Sequence, residues 1–201
     1  MEPVNFSTVV AGGLYRSGYP QAQDYPFIQS LKLKTIVTLV GKELPDGYAE
    51  FMTSNGITHQ IFDMAGTKKE EIPWKLMQAI QLFVTNSQNW PLLIHCNHGK
   101  HRTGCVIGVM RKTSQWTMDR IIDEYTSFAA PKVRETDIKY LTEYQIPLPV
   151  SKPLPAALSF PMAIGKFLQY TVMAFLAICF FVYSLCKLRL SPTPPKQASS
   201  L

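Results

Sequence analysis

Residues 92–104 read Leu92-Leu93-Ile94-His95-Cys96-Asn97-His98-Gly99-Lys100-His101-Arg102-Thr103-Gly104. An apolar run ends at His95 and Cys96, and five residues then lead to an arginine at the head of another apolar segment. This pattern predicts a buried strand that stops at the cysteine and a tight loop that enters a helix. Backbone N–H groups gather at the N-terminus of a helix and attract anions. The stretch therefore predicts an anion-binding loop built around a cysteine.

Cys96 and Arg102 have the spacing of a nucleophile and its phosphate-binding partner. Neighbouring basic side chains and the field of the predicted helix favour the thiolate form of Cys96. The guanidinium of Arg102 can donate two hydrogen bonds to a phosphate that this thiolate attacks. The other predicted substrate-binding residues of the loop are Asn97, His98, Gly99, Lys100, His101 and Thr103. Gly99 permits positive φ, and the Thr103 hydroxyl is expected to donate to the cysteine sulfur. His-Cys, five residues, Arg, then Ser or Thr is typical of the cysteine-dependent phosphatases.

The general acid for the leaving oxygen is less well determined by the sequence. Asp63 lies at the end of a predicted strand, which suits an acid on a mobile loop, and it is predicted to be catalytic. Glu70 and Glu71 follow on the same loop and are alternatives. A leaving group that is itself a phosphate is weakly basic and makes a strong acid less necessary. A strand-end cap is the structural alternative for Asp63.

Cationic groups concentrate at the end of the predicted sheet that carries the cysteine; they are Lys68, Lys69, His98, Lys100 and His101. These residues could be a run of solvated surface charges without a function. At the mouth of a phosphate site, however, the pattern predicts a substrate with several phosphates. His95, His98 and His101 have a spacing that a metal could use. No cysteine or carboxylate completes a ligand set, so neither a metal nor another cofactor is expected.

Charge is distributed unevenly along the 201 residues, whose formal net charge is +6. All 14 acidic residues and all but five of the 20 basic ones precede residue 151. The body of the chain is therefore nearly neutral and has no basic stripe with interleaved aromatic residues, which argues against a nucleic-acid partner. Four cysteines do not form a disulfide framework in a chain of this size, and a reducing compartment suits a catalytic thiol.

Strands alternate with helices along residues 1–146, which predicts an α/β fold with a small, mainly parallel sheet flanked by helices. Strands are expected within 12–20 and at 34–40, 57–64 and 92–95. Helices are expected at 26–33, 48–55, from 74 onward, and at 105–111, 117–129 and 134–144, with residues 1–13 as a loose segment. Ligands of such sheets bind at the carboxyl ends of the strands, where Cys96 and Asp63 both lie. Arg16 is either a solvated side chain or a buttress of a nearby loop.

The composition changes after residue 146. Prolines recur through 147–163, which predicts a stiff linker. Residues 167–186 carry no charge, and at about 1.5 Å per residue a helix of this length would span a bilayer core. We predict a transmembrane helix at 164–187, followed by a short basic tail at 188–201. The catalytic domain would then be cytoplasmic and anchored to an intracellular membrane; a buried helix is the alternative.

The chain resembles the plant and fungal atypical dual-specificity phosphatases over roughly residues 5–145. The resemblance is carried by Asn5-Phe6, Leu14-Tyr15-Arg16-Ser17-Gly18-Tyr19-Pro20, Leu33-Lys34-Thr35-Ile36-Val37, residues 93–96, Gly99-Lys100-His101-Arg102-Thr103-Gly104-Cys105, Glu124-Tyr125 and Phe128-Ala129. It implies the fold of the dual-specificity phosphatases, a phosphocysteine on Cys96, phosphate binding by Arg102, and substrate contacts from Lys68 and Lys100. Gly66-Thr67-Lys68 departs from the family's Gly-Asn-Lys, and Lys69-Glu70 departs from its Glu-Pro.

Several members of that family hydrolyse inositol pyrophosphates and favour the β-phosphate at the 5-position. The resemblance therefore implies this substrate class, with a phosphotyrosine protein as the enzymatic alternative. A third possibility, from another class, is a membrane-tethered module that binds phosphoinositides or proteins without catalysis.

Overall fold

The computed structural model describes residues 1–146 and, further along, residues 169, 171, 173–176, 178–180 and 183. The chain divides into two units, Met1–Ile146 and Pro147–Leu201. The strands of the first unit are β1 (Ser7–Val10), β2 (Leu14–Ser17), β3 (Thr35–Thr38), β4 (Thr58–Ile61) and β5 (Leu92–His95). Its helices are α1 (Tyr25–Ser30), α2 (Tyr48–Ser54), α3 (Trp74–Thr85), α4 (His101–Thr113), α5 (Met118–Ala129) and α6 (Glu135–Glu143), with 3-10 turns at Ala22–Asp24 and Ser87–Asn89.

The five strands form one sheet in the order β1-β2-β5-β3-β4. β1 is antiparallel to β2, and the other neighbours are parallel, which confirms the small, mainly parallel sheet. β3 and β5 are buried along their whole length, as expected of strands covered on both faces. His95 pairs with Ser17 of β2 on one side and with Thr38 of β3 on the other. Cys96 therefore leaves the sheet at the centre of its carboxyl edge.

The sequence predicted a loose segment at residues 1–13. This prediction is wrong, because residues 7–10 form the edge strand β1. Thr8, Val9 and Val10 are β-branched and suit a strand. Gly12 has a φ of 68° and completes the three-residue turn that returns the chain into β2. The hairpin extends the sheet beyond its parallel part.

α4 is the central helix, with Thr103–Met110 buried throughout. The sequence predicted a helix over 105–111, but α4 begins at His101, directly after the loop that follows Cys96. Arg102 and Thr103 therefore lie in the first helical turn rather than in the loop. α5 and α6 lie within one residue of their predicted bounds at each end.

The described residues between 169 and 183 are helical and exposed. Among the described residues, no helix has the length and apolar character that crossing a membrane would require. The predicted linker at 147–163 and tail at 188–201 lie outside the described residues, as does most of the predicted transmembrane segment 164–187.

Candidate active site

Cys96 opens the phosphate loop, which we define as residues 96–100 and which leads into α4. Three successive carbonyl oxygens of this loop accept hydrogen bonds from the segment around β1 and β2. The Asn97 oxygen accepts from the Tyr19 N–H at 3.2 Å, the His98 oxygen from Asn5 Nδ2 at 2.7 Å, and the Gly99 oxygen from Arg16 Nη2 at 2.6 Å. In a trans peptide the N–H points opposite to the carbonyl, so the N–H groups that follow turn to the inner side of the loop. Such a nest of N–H groups, at the N-terminus of α4, binds anions.

Arg16 buttresses the phosphate loop, the second of the two roles that the sequence left open. Its side chain is buried, with the guanidinium 3.7 Å from the centre of the Phe128 ring. Burial lowers the pKa of Arg16 to about 10, so the side chain is charged at neutral pH. Gly99, which the guanidinium holds, has a φ of 66°, and a Cβ there would lie 2.5 Å from the backbone of Ser17. Only glycine fits this close approach of the loop to β2.

His95 holds the base of the loop from within the sheet. Its Nε2 lies 2.8 Å from the hydroxyl of Thr38 and 3.3 Å from that of Tyr48. Complete burial lowers the pKa of His95 to about 3, so the ring is neutral. His95 therefore acts by hydrogen bonding and gives no positive charge to the thiolate.

A cavity of about 240 Å³ opens above Cys96, a residue that is 5% exposed. It is lined by Gly66, Lys68, Lys69, Cys96, Asn97, His98, His101, Arg102 and Arg134. The structure thus brings together six of the predicted site residues: Cys96, Arg102, Lys68, Asn97, His98 and His101. Within the described part of the chain, no carboxylate lines this cavity.

Arg134 is the basic residue of the cavity that sequence reasoning missed. It directly precedes α6 and lies near Gly66, where a Cβ would be 3.6 Å from Arg134 Nη1 and 3.9 Å from Arg102 Nε. A helix N-terminus normally favours acidic residues, so this position gave no local signal of an anion-binding role. The start of α6 and the loop after β4 together form the wall opposite Cys96.

The structure does not bring the remaining predicted residues into the cavity. Lys100 Nζ donates to the Ala130 carbonyl at 2.5 Å, so its charge points toward the end of α5. The Thr103 hydroxyl is buried without a hydrogen-bond partner among the described residues, and the expected bond to the Cys96 sulfur is not formed. Gly99 shapes the loop but does not line the cavity.

The three candidate acids also lie away from Cys96. Asp63 Oδ1 accepts a hydrogen bond from the Gly41 N–H at 2.8 Å, after the end of β3. A Cβ at Gly41 would lie 2.5 Å from the Asp63 carboxyl carbon, so the two residues pack without space between them. Glu71 lines a separate cavity of about 450 Å³ between Trp74 and α6, and Glu70 is exposed. The geometry therefore favours the capping role for Asp63.

A cysteine at the carboxyl edge of a parallel sheet, a nest of N–H groups and an arginine six residues on define a cysteine-dependent phosphatase. The chain belongs to the tyrosine phosphatase family, whose model matches residues 1–162. It is thus a hydrolase of the cysteine-based phosphatase class.

Relatives in plants and yeast are 32–42% identical to this chain over the aligned residues. Inositol diphosphatase DSP1 of Oryza sativa subsp. japonica is 38% identical over 159 residues, which cover 78% of this chain and 70% of the relative. Inositol diphosphatase SIW14 of Saccharomyces cerevisiae is 42% identical over 145 residues, 71% of this chain and 51% of the relative.

The crystal structure of the core catalytic domain of the yeast PP-IP phosphatase SIW14 in complex with citrate matches with a TM-score of 0.68 and 40% identity. The match covers 72% of this chain and 88% of that one. TpbA of P. aeruginosa, at 21% identity and a TM-score of 0.59, shares the fold.

Proposed function

We propose that this protein hydrolyses the β-phosphate of inositol pyrophosphates through a phosphocysteine intermediate. The observation that carries the proposal is the composition of the cavity above Cys96, which has two lysines, two arginines, two histidines and, among the described residues, no carboxylate. This lining suits a ligand with many negative charges. The plant and yeast relatives named inositol diphosphatases support the same substrate class.

In the first step the thiolate of Cys96 attacks the terminal phosphorus. A sulfur–phosphorus bond forms, and the bond to the bridging oxygen breaks with its electron pair on that oxygen. Arg102 and the N–H groups of the phosphate loop stabilise the charge on the three non-bridging oxygens in the transition state. Lys68, Lys69 and Arg134 line the opposite wall, where the remaining phosphates of the substrate would lie.

An inositol pyrophosphate and a phosphotyrosine differ in the basicity of their leaving groups. A tyrosine phenolate has a conjugate-acid pKa of about 10 and needs a proton donor, whereas a leaving phosphate is much less basic. A cavity that no carboxylate of the described residues lines is therefore better suited to a diphosphate. The lack of an acid there, among the residues that the structure describes, would slow only the phosphoprotein reaction.

The substrate assignment is tested with the full-length chain and two substrates: an inositol pyrophosphate with a 5-diphosphate group and a phosphotyrosine peptide. We expect kcat/KM to be at least about 100-fold higher for the inositol pyrophosphate, a difference that one missing general acid can produce. Faster turnover of the peptide would refute the proposed substrate.

The variant Cys96→Ser tests whether the protein hydrolyses its ligand through Cys96 or only binds it. The serine hydroxyl is a far weaker nucleophile, so turnover should be lost while the inositol pyrophosphate still binds. Unchanged turnover in this variant would refute the phosphocysteine mechanism. A wild-type protein that binds the substrate without hydrolysing it would instead support the non-catalytic module.

Asp63→Asn tests the general acid in the same assay. The capping role predicts that kcat on the phosphotyrosine peptide changes little, because an amide oxygen can still accept from the Gly41 N–H. A catalytic acid would cost about 100-fold or more in kcat. The second result would restore Asp63 as the proton donor.

We also propose that residues 164–187 anchor the protein to an intracellular membrane with the catalytic domain in the cytoplasm. The support is the uncharged stretch 167–186 between Lys166 and Lys187. Full-length protein should sediment with membranes after cell fractionation, and a chain that ends at residue 163 should remain in the supernatant. Full-length protein in the supernatant would refute the anchor.

A further inference from the structure

Asp137 is a buried carboxylate that lies directly behind the cavity, in the first turn of α6. Its Oδ1 accepts a hydrogen bond from the Thr67 hydroxyl. Its Oδ2 accepts from the Tyr125 hydroxyl at 2.5 Å and lies 2.9 Å from His101 Nδ1. A carboxylate can only accept hydrogen bonds, so the proton of the neutral His101 ring must be on Nδ1. Asp137 thereby fixes both the tautomer and the orientation of the ring.

The second ring nitrogen of His101 is consequently a free acceptor. Nε2 makes no hydrogen bond to any described residue and is not sealed from solvent, and the ring lines the cavity with Cys96. Lys68, Lys69 and Arg134, which also line it, are cations without a lone pair.

His98 is the other imidazole of the cavity, and it differs from His101 in how it is held. Its side chain is exposed, and no hydrogen bond to the described residues orients its ring. His101, in contrast, has a side chain only 14% exposed and a fixed Nδ1. His101 is therefore the oriented base of this cavity.

Burial and the positive charges around His101 keep its ring neutral. Desolvation and then Arg134 lower its pKa, Asp137 raises it, and Lys100 lowers it further, with a net decrease from the usual value. Tyr125 and Cys105, which face the same carboxylate, are themselves protonated, because burial and Asp137 raise the pKa of each. Lys68, Lys69 and Arg102 add positive charge from the cavity side. The lone pair of Nε2 is thus available at neutral pH.

We propose that His101 is the general base that activates water in the hydrolysis of the phosphocysteine, and that Asp137 is its positioning residue. The inference rests on the phosphocysteine intermediate of the proposed function. Water attacks the phosphorus of the intermediate and transfers a proton to His101 Nε2. The new oxygen–phosphorus bond forms, the sulfur–phosphorus bond breaks, and its electron pair returns to Cys96 as the thiolate. The proton then passes from Nε2 to the departing phosphate or to solvent.

The second half-reaction needs such a base more than the first needs an acid. A diphosphate substrate supplies a weakly basic leaving group, but the attacking water is the same for every substrate. Among the described residues no carboxylate lines the cavity, and Asp63 is bonded to Gly41. A positioned general base is worth about 100-fold to 10,000-fold in rate.

The test measures the two half-reactions separately with p-nitrophenyl phosphate and the full-length chain. Release of p-nitrophenol in the first turnover reports formation of the phosphocysteine, and the steady-state rate reports its hydrolysis when that step is slow. His101→Asn keeps a side-chain N–H donor for Asp137 and removes Nε2. We expect a burst of about one p-nitrophenol per active site, followed by a steady-state rate at least about 100-fold below wild type. Acid-quenched protein should carry a phosphate on Cys96 by mass spectrometry.

His98→Asn is the matched control, because it removes the other imidazole of the cavity and is not expected to make the phosphocysteine accumulate. Asp137→Asn should accumulate it, because an amide can donate to Nδ1 and move the ring proton to Nε2. Equal slowing of the burst and the steady state in His101→Asn, or an unchanged steady state, would overturn the proposal.

A measurement on the wild type keeps the test independent of how the variants fold. Protonation of His101 at low pH should slow the steady state while the burst rate changes less, and equal loss of both would count against the base. Because p-nitrophenyl phosphate is not an inositol pyrophosphate, an error in the substrate assignment would leave this result intact. Absence of phosphate on Cys96 in every variant would instead refute the proposed mechanism.

Discussion

Arg16 shows how one side chain sets the shape of the phosphate loop. Its guanidinium donates to the Gly99 carbonyl from a fully buried position. Arg16→Met would leave that carbonyl without a partner, so we expect a loss of about 2–4 kcal/mol in the free energy of unfolding, measured by urea denaturation. The value of kcat should fall as well, because the N–H groups of the loop lose their alignment.

The matched control is Arg120→Met, whose guanidinium lies 3.5 Å from the centre of the Trp116 ring and is exposed. Its removal should cost only about 0.5–1 kcal/mol. Equal losses in the two variants would show that Arg16 does not act through the loop.

His95 makes the stability of the protein depend on pH. Its pKa is about 3 in the folded state against 6.5 for an ordinary histidine, so between these values the unfolded chain binds a proton that the folded chain does not. Stability from this residue is therefore complete above pH 6.5 and is lost as the pH falls toward 3. From pH 6 to pH 4, the free energy of unfolding should fall by about 2 kcal/mol more in wild type than in His95→Gln. Parallel curves for the two proteins would contradict this.

At the scale of elements, Asp137 ties the loop after β4 to α6. The Thr67 hydroxyl donates to Asp137, and Lys68 and Lys69 follow it on the cavity wall. Thr67→Val keeps the shape and removes the donor, so the loop should be held less firmly. We expect KM for an inositol pyrophosphate to rise about 5-fold to 10-fold, which corresponds to the roughly 1 kcal/mol that a typical hydrogen bond contributes, while kcat/KM for p-nitrophenyl phosphate changes little.

Thr136→Val is the control for this loop. The Thr136 hydroxyl lies 3.0 Å from that of Thr67, and its removal leaves the hydrogen bond between Thr67 and Asp137 in place. Its KM should stay close to that of wild type. A matching rise in both threonine variants would assign the effect to the surface between them and not to Asp137.

Elements and site residues differ in how far the sequence could predict them. The strand, the phosphate loop and the start of the helix are adjacent along the chain, so Cys96 and Arg102 could be identified from local spacing. Arg134 and Asp137 enter the site only because α6 packs beside α4, a tertiary contact that no local pattern encodes. The directions of Lys100 and Asp63 depend on the partners Ala130 and Gly41, which lie on other segments. Residue type therefore predicted the chemistry of the site better than it predicted which side chains face it.

At the scale of the whole molecule, the ligand site of the unit Met1–Ile146 is connected directly to the central elements of its core. The phosphate loop is hydrogen-bonded to the segment around β1 and β2, follows directly after β5 and leads into the buried helix α4. A ligand that binds this loop should therefore stabilise the folded state as a whole and not one loop alone. By mass action a ligand at 100 times its Kd adds about 2.7 kcal/mol.

Inositol hexakisphosphate, which has no diphosphate group to hydrolyse, is the probe for this coupling. At saturating concentration we expect it to raise the Tm of the full-length chain by about 5–10 °C in a single cooperative transition. Arg102→Met should lose most of the shift, and sodium chloride at the same ionic strength should not reproduce it. A shift that survives in Arg102→Met would place the polyphosphate elsewhere on the surface, and no shift in wild type would contradict the many-phosphate ligand that the basic cavity implies.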